Sequence, residues 1–249
     1  MLLLTQPITA ENLMFSSNNQ ATTFLELYTS QGCNSCPPAE RWLSELTEAP
    51  QLWTSIIPIN FHVDYWDYLG WKDPFALADF SQRQRRYNAL GLTNQVATPG
   101  FIVNGRGWNG WFSKSQLPEK IRLSSIKLTA TLTENNLNIN IDSHKAQDLI
   151  VNIAILGFGI QTPVKRGENK GKTLNHDFVV IGYKHNNVKL QPQNIDDPSS
   201  TEDIDKGHNL TTQLPNIFDN QNIGNRRALV IWLSAKNNPS PLQVAAGWL

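Results

Sequence analysis

Cysteine is almost absent from this chain: 249 residues hold two, Cys33 and Cys36. A scaffold stapled by several disulfides is therefore excluded. Long apolar runs are missing too, and no stretch approaches the roughly eighteen residues that a membrane-spanning helix needs. Charged residues are scarce at 17 %, with Lys plus Arg (21) equal to Asp plus Glu (21). Surfaces that track nucleic-acid phosphates carry a clear basic excess, so no nucleic-acid partner is expected. The N-terminus lacks a basic segment and a full apolar stretch, although Ile8-Thr9-Ala10 resembles the small-residue end of a secretory leader. Residues 1–20 read as a clipped leader or a flexible lead-in, the alternative being a frayed cytoplasmic terminus.

What the chain does have is 40 % hydrophobic residues and eight tryptophans, enough for a sizeable core. Thr22-Thr-Phe-Leu-Glu-Leu-Tyr28 alternates and is rich in strand formers. A turn leads into Cys33-Asn-Ser-Cys36-Pro37-Pro38, after which Ala39, Trp42, Leu43 and Leu46 recur at helical spacing. A strand is predicted over 56–63. A helix follows over 73–90, with Asp73 as N-cap, Pro74 in the first turn and Gly91 as stop. Ala97-Thr98-Pro99-Gly100 then precedes the short strand Phe101-Ile-Val103. Beyond about residue 115 the texture turns to strands: a hairpin over 126–141, then 149–158, 178–183, 228–233 and 242–248, with a polar stretch over 191–222 between them. The expectation is an α/β region over 21–115, thioredoxin-like with a central sheet and flanking helices, followed by an all-β, sandwich-like domain over 122–249.

Two cysteines spaced C-x-x-C between a strand and a helix occupy the placement used for thiol–disulfide exchange. The positive end of the helix dipole favours thiolate over thiol, and the thiolate is the attacking species. Cys33 is expected to attack and Cys36 to resolve. Pro37 and Pro38 complicate this, because they remove two amide donors and move Cys36 toward the cap. Thr98-Pro99 is a candidate cis bond beside the pair, with Thr98 offering backbone groups to an extended substrate; only about one X-Pro bond in twenty is cis, and an ordinary trans turn is the alternative. Glu26 shares a strand face with Phe24 and Tyr28 and is a candidate proton-relaying acid, against the alternative of a half-exposed strand residue. Cys33, Cys36 and His62 together have the ligand types for zinc or copper, although four-ligand sites need more than these. Trp66, Trp71, Trp108 and Trp111 wall a groove or pack between layers. Arg83, Arg85 and Arg86 form a basic helix face.

The run Glu26-Leu-Tyr-Thr-Ser-Gln-Gly-Cys33-Asn-Ser-Cys36-Pro-Pro-Ala39 resembles the domain of unknown function 1223 family. So do His62-Val-Asp-Tyr-Trp-Asp-Tyr-Leu-Gly-Trp71, Arg83-Gln84-Arg85-Arg86-Tyr87, and Thr98-Pro99 with Val103-Asn-Gly105. Arg166-Gly-Glu-Asn-Lys-Gly171 and the stretch from Asn175-His176 to Val180 are similar to the family's second domain. The resemblance runs from about residue 22 to the C-terminus; Gly100 departs from it where members often carry glutamine. It implies a thioredoxin-like domain followed by a β-rich one in proteins usually exported from bacteria, hence a periplasmic or secreted location, and it implies no reaction. Arg166, Glu168 and His176 read as a loop facing the cysteines or as an ordinary turn.

The function these readings favour is a thiol–disulfide oxidoreductase with no bound cofactor, acting on protein or small-thiol substrates and recycled by a redox partner protein. The alternatives are a copper or zinc delivery module using Cys33, Cys36 and His62, or a non-catalytic, partner-binding protein whose disulfide locks a loop. Exchange needs a sulfur within reach of a visitor.

Overall fold

The computed structural model describes residues 12–18, 22–113, 115–118, 125–143, 145–191, 207–218 and 222–249. Of residues 1–20, expected as a leader or flexible lead-in, 1–11 and 19–20 lie outside the described residues. Strand β1 (Leu13–Ser16) is followed by β2 (Thr23–Thr29), helix α1 (Pro37–Ser44), β3 (Ile56–His62), α2 (Ala78–Ala89), β4 (Gly100–Val103) and β5 (Arg106–Trp108). Then come β6 (Lys127–Thr133), β7 (Asn136–Asp142), β8 (Gln147–Phe158), β9 (Ile160–Pro163), β10 (Thr173–His176), β11 (Val179–Leu190), β12 (His208–Gln213), β13 (Arg226–Ala235) and β14 (Asn238–Trp248).

The expected fold class does not hold. Strand accounts for 48 % of the described residues and helix for 13 %, and the strands form several sheets rather than a helix-flanked thioredoxin-like α/β layer beside a separate sandwich. The largest sheet has eight strands in the order β14-β13-β8-β11-β3-β2-β4-β5, so it runs without a break from the C-terminal strands to the N-terminal ones. The seam is β3 against β11, parallel, with Val179 opposite Asn60 and the Asn60 amide donating to the Phe178 carbonyl at 2.9 Å. Every residue of β2 and β3 is buried. A strand so enclosed has no water for its backbone groups and must find a partner strand on each side. Residues more than a hundred positions away supply it here, and periodicity in the sequence carries no trace of that pairing.

The apolar patterning explains the layers. Ala228, Val230 and Trp232 on one side of β13 join a core with Phe24, Leu27, Phe61, Phe80 and Tyr87. Leu229, Ile231 and Leu233 on the other side join a second core with Phe15, Leu128, Ile139, Val151 and Ile153. That second core is closed by the four-stranded sheet β1-β6-β7-β12. A strand buried on both faces reads as one unbroken apolar run, as Ala228-Leu-Val-Ile-Trp-Leu233 does. The β2 faces divide likewise: Glu26 and Tyr28 meet α2 through Arg83 and Tyr87, whereas Thr29 meets α1 through Glu40.

The second helix is shorter than expected. It begins at Ala78 with Leu77 in the extended cap position, not at Asp73. The Asp73 carboxylate is already occupied, accepting from the backbone amides of Gln31 and Phe75 and facing His62.

Trp232 is fully buried and its ring lies 5.6 Å from Phe24, 6.2 Å from Phe61 and 6.0 Å from Tyr183. Trp232→Ala is expected to lower unfolding stability by about 3–5 kcal/mol. Met14→Ala, at a residue 80 % exposed, should stay within about 0.5 kcal/mol of the parent in the same guanidinium titration.

Candidate functional site

The cysteines sit on the connection from β2 to α1. The Cys33 amide donates to the Ser30 carbonyl at 3.1 Å and the Cys36 amide to the Cys33 carbonyl at 3.3 Å, which folds the segment back on itself. Helix α1 starts at Pro37, where a missing amide costs nothing, and Cys36 is its N-cap residue. Cys36, not Cys33, is thus the cysteine nearest the positive end of the helix. The two are joined as a disulfide with their Cα atoms 5.5 Å apart.

Burial corrects the expectation of an exposed sulfur. Cys33 is 1 % and Cys36 0 % exposed, while Asn34 and Ser35 between them face solvent. Thr98–Pro99 is a cis peptide, and the Thr98 carbonyl lies 3.7 Å from Cys33 Sγ. Ser35 Oγ is 3.3 Å from the same sulfur. Trp66 Nε1 donates to Thr98 Oγ1 at 2.7 Å, tying this side of the site to the segment after β3.

A loop from the other half of the chain fastens the cysteine segment. Between β9 and β10, the Val164 amide donates to the Lys172 carbonyl and the Gly171 amide to the Val164 carbonyl, closing a compact turn. From it, Asn169 Nδ2 donates to the Gln31 carbonyl at 3.0 Å and the Cys33 carbonyl at 2.9 Å. Glu168 Oε2 accepts from the Asn34 amide at 2.9 Å. Gly167, at φ +74°, holds a left-handed conformation that favours glycine and lets the loop approach Gly32. The anticipated loop thus reaches the cysteines through Glu168 and Asn169. Asn169 was not singled out in the sequence; the signal was an amide side chain inside Gly-Glu-Asn-Lys-Gly, a segment too polar to be buried for its own sake.

Behind the cysteine segment lies a closed polar layer. Fully buried Gln31 receives the Trp71 indole N–H on its Oε1 at 2.9 Å and points its Nε2 at Thr162 and at His176 Nε2, both 3.1 Å away. His176 Nδ1 makes a short hydrogen bond to Glu40 Oε2, and Thr29 donates to Glu40 Oε1 at 2.6 Å. His62 Nδ1 lies 2.7 Å from Asp73 Oδ2. Burial opposes charge on Glu40, His62 and Asp73, and their partners outweigh it. Burial pushes Glu40 up, but His176 and then His62 hold it below its ordinary value. Burial pushes His62 down, but Asp73 raises it. Asp73 is in turn held low by His62.

The remaining expected residues are placed elsewhere. Glu26 makes its hydrogen bonds to Tyr28, Tyr87 and Arg83, the last as a two-pronged ion pair at 2.8 and 3.1 Å, on the α2 face of the sheet. His62 hydrogen-bonds Asp73, and the two sulfurs are bonded to each other rather than free to join it. Trp66 and Trp71 reach the site, whereas Trp108 and Trp111 pack on Phe101. Arg85 lies over the Tyr65 ring and Arg86 donates to the Lys236 carbonyl.

Asn169→Ala takes its donor from the Gln31 carbonyl and one of two donors from the Cys33 carbonyl, which the Cys36 amide still reaches, and is expected to cost about 1–3 kcal/mol; under native conditions dithiothreitol should reduce the disulfide faster in this variant than in the parent. For pH, Asp73 and Glu40 have folded values below their ordinary 3.8 and 4.5, so their stabilisation is present above those values and lost as pH falls. His62 has a folded value above its ordinary 6.5, so its stabilisation is complete below 6.5 and lost as pH rises through the raised value. Stability measured by guanidinium unfolding should therefore peak between these limits, and His62→Gln should remove the part of the fall that sets in above 6.5, leaving the one that the buried tyrosines, raised above their ordinary 10.0, impose at higher pH.

Comparison with known proteins adds family and fold. The profile of a family described as "Protein of unknown function (DUF1223)" matches residues 24–218. No curated protein matches the chain. Among solved structures, the protein AGR_C_4864 from Agrobacterium tumefaciens is 22 % identical, with a TM-score of 0.57 over 92 % of this chain and 95 % of that one. HBP35 of Porphyromonas gingivalis is 11 % identical, with a TM-score of 0.51 over 92 % of this chain and 75 % of that one. At these identities the likeness is one of fold.

Proposed function

The chain belongs to the DUF1223 family, whose function is unknown, and from that premise we propose that it is a thiol–disulfide oxidoreductase whose working pair is Cys33 and Cys36. The observation that carries this reading is the disulfide itself: the chain's two cysteines are joined at the start of a helix, with Cys36 as its cap. A disulfide closing so short a loop constrains the unfolded chain less than one closing a long loop, which favours its chemistry as the reason for its presence.

In the oxidising direction a substrate thiolate attacks Cys33 Sγ, the Cys33–Cys36 bond breaks, and its electron pair leaves on Cys36. The helix dipole favours that thiolate, and a better-stabilised leaving group departs faster. A second substrate thiolate then attacks the mixed disulfide and frees Cys33. Two substrate thiols become a disulfide, and the chain's disulfide becomes two thiols. Thr98, with its carbonyl beside Cys33, is the group proposed to align the visiting chain, and Pro99 supports it. Substrates are protein or small thiols, no cofactor takes part, and a partner protein restores the pair. A periplasmic or secreted location suits an intact disulfide.

Because both cysteines are buried, exchange requires the segment bearing Asn34 and Ser35 to lift from the 164–172 loop. The same burial favours a second reading, in which the disulfide only fastens the segment. The experiment separates them. Incubated with glutathione disulfide, reduced Cys36→Ser should accumulate a mixed disulfide at Cys33, and the native oxidised chain should be reduced reversibly by glutathione. A chain that resists reduction until it unfolds, with Cys33→Ser/Cys36→Ser merely losing about 2 kcal/mol of stability, would support the fastening role and end the redox reading.

A further inference from the structure

Three metal-ligating side chains meet in the polar layer outside the cysteine chemistry: Glu40 from α1, His62 from the end of β3 and His176 from the end of β10. Each is buried, at 3 %, 0 % and 1 % exposure. One donor atom from each lies within 4.8 Å of the others. We propose that Glu40, His62 and His176 form a binding site for one divalent cation, with zinc as the best-suited ion.

The orientation of His62 is the first support. Its Nδ1 is fixed against Asp73 Oδ2 at 2.7 Å, and its Nε2 is buried with no hydrogen-bond partner among the described residues. A buried polar atom without a partner is costly, and native structures rarely keep one without a reason. A carboxylate on one ring nitrogen and an ion on the other is the arrangement that orients metal-binding histidines. Asp73 is itself held by the Gln31 and Phe75 amides at 2.8 and 3.0 Å, so the carboxylate is rigid as an outer support requires.

The donor chemistry is the second. Two imidazoles and one carboxylate suit zinc and other borderline first-row ions, whereas magnesium and calcium prefer oxygen-rich shells. Three protein donors leave a position open for water or another ligand. Zinc bonds of about 2.0–2.1 Å place tetrahedral donors about 3.3 Å apart, so the set closes somewhat around an ion. Glu40 sits on a flexible stem and can exchange its contact with His176 for one with the ion while Thr29 still holds its other oxygen; His176, whose two nitrogens face Glu40 and the Gln31 amide, becomes a ligand when these contacts rearrange. Neither sulfur is a ligand, so an ion can be held here whether or not the proposed exchange reaction takes place.

The test uses the full chain in its oxidised form, freed of metal with a chelator and titrated with zinc chloride in a calorimeter. One ion per chain is expected. His62→Gln and His176→Gln should each weaken binding by about a hundredfold, and Asp73→Asn, which removes only the outer support, by about tenfold. Cys33→Ser/Cys36→Ser should still bind one zinc per chain, which keeps this outcome separate from the fate of the redox reading. If the histidine variants fail to fold by circular dichroism, the parent decides: cobalt(II) added in place of zinc should give a spectrum of nitrogen and oxygen ligands without a thiolate charge-transfer band, and zinc should raise the melting temperature. No stoichiometric binding by the folded parent, unchanged affinity in folded His62→Gln and His176→Gln, or loss of binding in the cysteine double variant would each overturn the proposal.

Discussion

The pairing of β3 with β11 is the constraint on which the site depends. Asn60 meets Val179 at the seam, and three residues before Val179 stands His176. Because β11 must lie beside β3 to satisfy its backbone, the hairpin that precedes it is carried to the end of β3 where His62 sits. From that single placement come the contact of His176 with Glu40, the reach of Gln31 to Thr162, and the fastening of the cysteine segment by Glu168 and Asn169. The polar layer is an obligation of this geometry. Side chains from six segments (Thr29, Gln31, Glu40, His62, Asp73 and His176) are enclosed where water does not reach, and they look for hydrogen bonds among one another.

Local features were legible in the sequence, and long-range ones were not. The β2–α1 unit, the C-x-x-C spacing, β3 and the 126–141 hairpin follow from alternation, helical spacing and turn residues, because such signals are written within a dozen positions. Continuity of the eight-stranded sheet is a property of strand edges, which composition does not record, and the helix-flanked thioredoxin-like reading failed on that point. Asp73 looked like a cap because Asp before Pro usually is one; tertiary partners claimed its carboxylate first. Glu26 looked like an isolated acid among aromatics. Its partner Arg83 lay in plain view on the basic helix face, but nothing local pairs a strand residue with a helix residue 57 positions on. Arg166, Glu168 and His176 read as a loop facing the cysteines or as an ordinary turn, whereas Asn169, which makes two of the closest contacts, is hidden by its ordinariness as a loop residue.

The two faces of β2 illustrate how similar residues take different roles. Glu26 is saturated by an arginine and two tyrosines, a closed arrangement that binds α2 to the sheet and reaches the Pro239 carbonyl through Arg83. Glu40, on the opposite face, is held by a threonine and a histidine in a layer that still contains a nitrogen without a partner. A saturated buried ion pair is a structural lock, and truncating either side leaves a stranded charge. An unsaturated layer is where chemistry finds room.

Asp73 Oδ2 accepts from the Gln31 amide and also faces His62 Nδ1, so one oxygen is shared between the backbone two residues before Cys33 and an imidazole in the polar layer. Anything that shifts this oxygen is felt at both ends. Thermodynamic reciprocity then applies: whatever factor the state of the sulfurs imposes on occupancy at the imidazole, occupancy imposes on the equilibrium of the sulfurs.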